Sequence, residues 1–213
     1  MDYKGYNIAV HELGHNVEQT FSLHDVDLTL LAGVPNNAFT EALAFLFQAR
    51  DLELLGRPRR SAAEERTRVL DTFWKTREIA GSALVEIEVW RWLYEHPAAT
   101  AAELREATVR VARQVWDRYY APTLGGEGTP LLGIYSHTVA IPLYLFNYVL
   151  GHLIAFQIER HVEGKDKATF GREFERMCRI GDVLPDVWMQ QATGAPVSSA
   201  PLLDAVARAL QAP

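Results

Sequence analysis

The chain has 213 residues, 48% hydrophobic and 23% charged, the balance of a globular protein with a sizeable core. Its formal net charge of -6 leaves no overall basic footprint and argues against nucleic acid as a main partner. The single cysteine, Cys178, excludes an internal disulfide framework and fits a reducing compartment, so a cytoplasmic protein is expected.

The first residues, Met1-Asp2-Tyr3-Lys4-Gly5-Tyr6-Asn7, lack the basic and apolar regions of a signal peptide. Ile8, Val10, Leu13, Val17 and Phe21 recur at roughly helical spacing, which predicts a first helix from about Tyr6 to about Thr20. Inside it lies His11-Glu12-Leu13-Gly14-His15, the pattern H-E-x-x-H. Positions i and i+4 share a helix face, so both imidazoles can address one ion. Borderline-soft Zn2+ suits two neutral imidazoles, and Glu12 beside them suits a general base. A catalytic zinc usually takes three protein ligands and keeps one position open. A metzincin would continue with glycine at 18 and histidine at 21, where this chain has Glu18 and Phe21.

His24 to Asp27 and Gly33 to Asn37 read as connections. His24 is most simply a solvated loop histidine. Asp25, Asp27 and Asn36 are each able to hydrogen-bond a ligand imidazole, and the sequence does not choose among them. A second helix is predicted from about Ala38 to Leu55, stopped by Gly56-Arg57-Pro58. It carries Glu41, an acidic residue in an otherwise apolar run. Glu41 is either a rim carboxylate near a helix start or the third metal ligand; with His11 and His15 upstream, the ligand is the stronger reading.

Ser61-Ala62-Ala63-Glu64 is a capping box opening a third helix that reaches about Glu95, with an irregularity expected near Gly81. Thr100-Ala101-Ala102-Glu103 opens a fourth in the same way. Gly125 to Pro130 is a flexible break beside the cleft; it lacks the phosphate-loop pattern. From Leu131 to Val162 the chain is strongly apolar, and Pro142 should kink or start a helix there. Tyr144, Tyr148 and His152 fall at i, i+4 and i+8, predicting one stripe on a buried helix whose polar groups need partners. His137 precedes them. No apolar run is long and unbroken enough for a membrane span. Asp166 to Pro213 reads as two or three short helices of scaffold, with Cys178 half-buried in one of them.

These residues resemble the zinc oligopeptidases of the thimet oligopeptidase, neurolysin and oligoendopeptidase F kind. The resemblance rests on His11-Glu12-Leu13-Gly14-His15, on Glu41 with 25 residues between it and His15, and on the downstream histidine-tyrosine segment. His137, Tyr144 and Tyr148 look like the residues that hold substrate and steady the tetrahedral intermediate in that family, with Gly151 following as in oligoendopeptidase F. His152 has no counterpart. Gly171-Arg172-Glu173-Phe174 to Leu210 looks like the family's carboxyl-terminal helices.

The resemblance implies an all-α, zincin-like catalytic domain spanning 1-213, with the motif helix and the Glu41 helix as antiparallel neighbours. It implies one Zn2+ held by His11, His15 and Glu41, with Glu12 as general base in peptide-bond hydrolysis of oligopeptides. It covers only the carboxyl-terminal part of the family's usual length. The region that forms the other channel wall in relatives would then belong to a longer protein or a partner chain, unless the cleft is open. A zinc-binding but inactive fragment or subunit, and a metal-free helical interaction protein, are the competing readings.

Overall fold

The computed structural model describes residues 2–211; Met1, Ala212 and Pro213, at the ends of the first stretch and of the carboxyl-terminal helices read above, lie outside the described residues. The all-α expectation holds: every regular element among the described residues is helical, and no loop there forms a hairpin. In chain order the α-helices are α1 (Tyr3–His24), α2 (Asn37–Gln48), α3 (Asp51–Leu54), α4 (Ala62–Glu95), α5 (Ala101–Tyr119), α6 (Ala121–Leu124), α7 (His137–Ala140), α8 (Leu145–Val162), α9 (Lys167–Cys178), α10 (Pro185–Thr193) and α11 (Ala200–Gln211). No described helix is long and apolar enough to cross a membrane.

The chain divides into two compact units. The first comprises the chain up to Phe73 together with the chain from Leu150 onward, and the second is Trp74–Val149. In the first unit, α2 is the central helix. Ala38, Phe39, Ala42, Leu43 and Leu46 are all but fully buried against Ile154, Ile158, Phe174, Met177 and Trp188. Burying an aliphatic or aromatic side chain of this size contributes roughly 1.5–3 kcal/mol, so this cluster fixes where α2 sits. Cys178, expected to be half-buried, belongs to this core and has no exposed surface; burial pushes its thiol pKa well up, which suits an inert thiol.

Helix α1 runs antiparallel to α2. His15 and Glu18 meet Thr40, Gly14 meets Ala44 and Phe47, and Asn7 accepts from Gln48 at 2.6 Å. A side chain at Gly14 would bring a Cβ within 2.8 Å of Phe47 Cβ and 2.9 Å of Ala44 Cα, so glycine sets the interhelical distance. α1 is longer than predicted at both ends. Its start is capped by Asp2, whose carboxylate accepts from Gly5 N at 2.8 Å.

The second helix is shorter than predicted, ending at Gln48 before the separate turn α3. The interruption places Asp51 inward, fully buried, where it accepts from Tyr3 (2.5 Å), Asn7 (2.7 Å) and Arg60 (2.7 Å). A continuous helix from Ala38 to Leu55 is overridden by partners distant in sequence.

In the second unit, α4 packs with α5 around Val85, Val89, Val111, Ala112 and Leu132. Both predicted capping boxes form: Ser61 with Glu64 in the first unit, and Thr100 with Glu103 in the second. The irregularity expected at Gly81 is absent, and α4 is continuous there. Gly81 instead gives room to the Tyr120 ring, whose hydroxyl donates to the Arg77 carbonyl. The Gly125–Pro130 loop is tied to α5 by Trp116 Nε1 donating to Gly125 O (3.0 Å) and Gly128 N donating to Asp117 (2.6 Å).

Candidate metal centre

The H-E-x-x-H spacing places His11 and His15 one turn apart on α1, on the side that faces α2. Their Nε2 atoms are 3.2 Å apart, and the rings meet edge to face at 88°. Glu41 enters from the first half of α2, with a side chain only 5% exposed. Its Oε2 lies 3.3 Å from His11 Nε2 and 3.8 Å from His15 Nε2. An ion bonded at about 2.0–2.1 Å to tetrahedral ligands separates them by roughly 3.3 Å. The three donor atoms therefore have the spacing of three corners of such a site.

Hydrogen bonding fixes which nitrogen of His15 is available. Thr40 donates its hydroxyl proton to Glu18 Oε2 at 2.7 Å, because a carboxylate only accepts. Thr40 Oγ1 also lies 3.0 Å from His15 Nδ1, so Nδ1 carries the proton and donates it to that hydroxyl oxygen. His15 Nε2 then holds its lone pair toward His11 and Glu41. Glu18 is itself buried and accepts from Ser22 at 2.5 Å. Outer partners of this kind orient ligating imidazoles. His15 Nε2 and the Glu41 carboxylate are thus acceptors turned toward one point, and His11 Nε2 lies within 3.3 Å of both.

The apolar wall comes from two directions. Phe45 lies 5.0 Å from the His11 ring and stacks at 4.1 Å on His152. Gly151 of α8 passes directly over Glu41: a Cβ there would lie 3.0 Å from Glu41 Cβ and 3.3 Å from the Ala38 carbonyl. The glycine matters for that close approach. Glu12, by contrast, is exposed on α1.

None of the three residues left open as imidazole partners has that place. Asp25 pairs with Arg179 at 2.7 Å, Asn36 caps α2 by accepting from Ala38 N at 2.9 Å, and Asp27 is exposed. The sequence did contain a signal for the actual pair: Thr40 adjoins Glu41, and Glu18 lies one turn after His15.

No family model, curated protein or solved structure matches the chain.

His137, Tyr144 and Tyr148 come together in the second unit. The Tyr148 ring lies 5.4 Å from Tyr144 and 6.2 Å from His137, in both cases edge to face. The predicted three-residue stripe is corrected, however. Helix α8 starts at Leu145, so Tyr144 precedes it and only Tyr148 and His152 share the helix. The cause is Leu143, which takes a left-handed backbone (φ 59) after Pro142. Fully buried Glu86 accepts from Leu143 N at 2.8 Å and Leu145 N at 3.1 Å, capping α8 from another helix. Glu86 was not singled out from sequence, since a lone glutamate in a long helix carries no local mark of this role.

Proposed function

We propose that the chain is a zinc-dependent metallopeptidase that hydrolyses peptide bonds in oligopeptides. The observation supporting it is the convergence of His11, His15 and Glu41 within one coordination sphere, with the His15 tautomer set by Thr40 and Glu18. A bound Zn2+ supplies Lewis acidity and a water of lowered pKa. His11, His15 and Glu41 hold the ion. Buried Glu41 offsets part of its charge, and Phe45 shields one side of the donor set from water. Glu12 is the proton carrier: its carboxylate takes a proton from the attacking water and returns it to the leaving amine. In this reading His137, Tyr144 and Tyr148 have the substrate-binding role that the family resemblance gives them. A cytoplasmic setting suits the single free thiol.

A metal determination coupled to cleavage of quenched-fluorescent oligopeptides tests the reading. Stoichiometric zinc with chelator-sensitive cleavage supports it. Zinc without cleavage favours an inactive module or a subunit whose partner chain completes the peptide channel. Absence of stoichiometric zinc favours a helical interaction protein and ends the proposal.

A further inference from the structure

Basic charge is concentrated in one place within the first unit. The end of α2, α3, the first turns of α4, the last turns of α8 and α11 enclose an open-mouthed cavity of about 1040 Å³. Its wall carries eight basic and four acidic side chains, in a chain whose formal charge is -6. Arg160 pairs with Glu163 at 2.8 Å and Lys165 lies 3.8 Å from Glu173, so the wall is mixed in sign with basic groups in excess. A local excess of positive charge over a low-dielectric wall focuses potential, so this concavity favours anions although the whole protein repels them.

The basic groups differ in how far they are committed. Arg68 bridges Glu65 (2.6 Å) and Glu159 (2.7 Å), and Arg60 is held by Asp51. Arg50 lies 3.5 Å above the Phe170 ring with Glu53 at 3.2 Å. Burial pushes the Arg50 pKa down, and the like charge of Arg59 adds to that effect against the pull of Glu53. Arg59 is 57% exposed and shares the same Glu53, while Arg208 projects from the exposed side of α11. One carboxylate thus serves two guanidinium groups, and a bound anion would relieve their repulsion. Beneath them the floor is apolar: Leu46, Val69, Phe156 and Ala209 are all buried.

Guanidinium forks match phosphate oxygens in pairs, and an apolar floor matches an aromatic body. The volume is that of a site for a drug-sized ligand. We propose that this cavity binds a small phosphorylated molecule with an aromatic body, of nucleotide chemistry, at a site separate from the metal ligands. The proposal is independent of peptidase activity.

Calorimetric titration of the full chain with ATP, inorganic triphosphate and adenosine tests it. At low salt ATP is expected to bind with a dissociation constant of about 100 μM or below, and triphosphate and adenosine each about tenfold or more weakly. The double variant Arg59→Glu/Arg208→Glu, changed only at exposed positions, should keep its helicity and lose about tenfold or more of the ATP affinity. Three results would each overturn the proposal: no binding of ATP by the unmodified chain, triphosphate binding as tightly as ATP, or the double variant binding ATP unchanged.

Discussion

His15 Nδ1 and Thr40 Oγ1 lie 3.0 Å apart, and because Thr40 gives its own proton to Glu18, the bond runs from the imidazole to the hydroxyl. Nε2, the nitrogen turned toward His11 and Glu41, is thereby kept free of a proton. Thr40→Val removes the acceptor and keeps the shape. It should lower zinc affinity by about 10–100-fold, the usual cost of losing an outer partner. Competition against a chromophoric chelator measures this. Thr40→Ser should stay within a few-fold of the unmodified chain, and equal affinity for the valine variant would remove Thr40 from any role in the site.

Glu12 is on the same turn as His11 but is exposed, and it is not one of the converging donors. Glu12→Gln should therefore leave zinc stoichiometry and melting temperature unchanged while peptide cleavage falls by about 10²-fold or more, the scale of general-base catalysis. Metal loss in this variant, or cleavage at the original rate, contradicts the proton-carrier role.

How much of this was legible in the sequence depended on how local each feature is. His11 and His15 are four residues apart, and helical periodicity places them on one face without further information. Glu41 was legible because it is an acid in an apolar run. Thr40 and Glu18 were not, because their meeting depends on the register of α1 against α2, which Gly14 and the buried face of α2 set together. The break between α2 and α3 escaped for a similar reason: Tyr3, Asn7 and Arg60, which draw Asp51 inward, are spread over 58 positions of chain. Tyr144 fell outside its predicted helix because Glu86, 57 residues before Leu143, holds the turn.

Gly14 offers a test of the helix contact itself. Alanine normally favours a helix interior by about 1 kcal/mol over glycine. Here its methyl would collide with the Ala44 backbone at 2.9 Å, so α1 and α2 must move apart. Gly14→Ala should be destabilising by about 1–3 kcal/mol in urea unfolding, the reverse of the propensity expectation. The displacement should also loosen the His11–Glu41 spacing and weaken zinc binding. A stabilised variant would show that the interface has slack.

Asp51 ties the start of α1 to α3, and its ionisation gives stability a pH signature. Burial works to raise its pKa, but hydrogen bonds from Tyr3 and Asn7 and the charge of Arg60 together hold it below the ordinary aspartate value of 3.8. A depressed folded pKa contributes stability that is present above the unfolded value and lost as pH falls through the folded one. Asp51→Asn should cost about 3 kcal/mol near neutral pH, as for a broken buried ion pair. The gap between variant and parent should hold down to the ordinary value and narrow below it. A gap that is constant through that acid range would show that the charge contributes nothing.

Glu86 makes the strongest demand on a single side chain in the second unit. Its carboxylate has no exposed surface and is held by two backbone N–H groups, one of them on left-handed Leu143. Glutamine keeps one acceptor oxygen and turns an amide N–H₂ toward the other backbone donor. Two buried donors then face each other, at a cost of about 1–3 kcal/mol. Leu143→Gly, which relaxes the left-handed residue by about 1 kcal/mol or more, should recover part of that loss when added to Glu86→Gln. Urea unfolding of the two single variants and the double variant reads the coupling directly. Since Tyr144 and Tyr148 flank this cap, their edge-to-face contact should loosen in Glu86→Gln, seen as altered near-ultraviolet circular dichroism; a Glu86→Gln variant as stable as the parent with an unchanged aromatic signal would mean that α8 holds its start without Glu86.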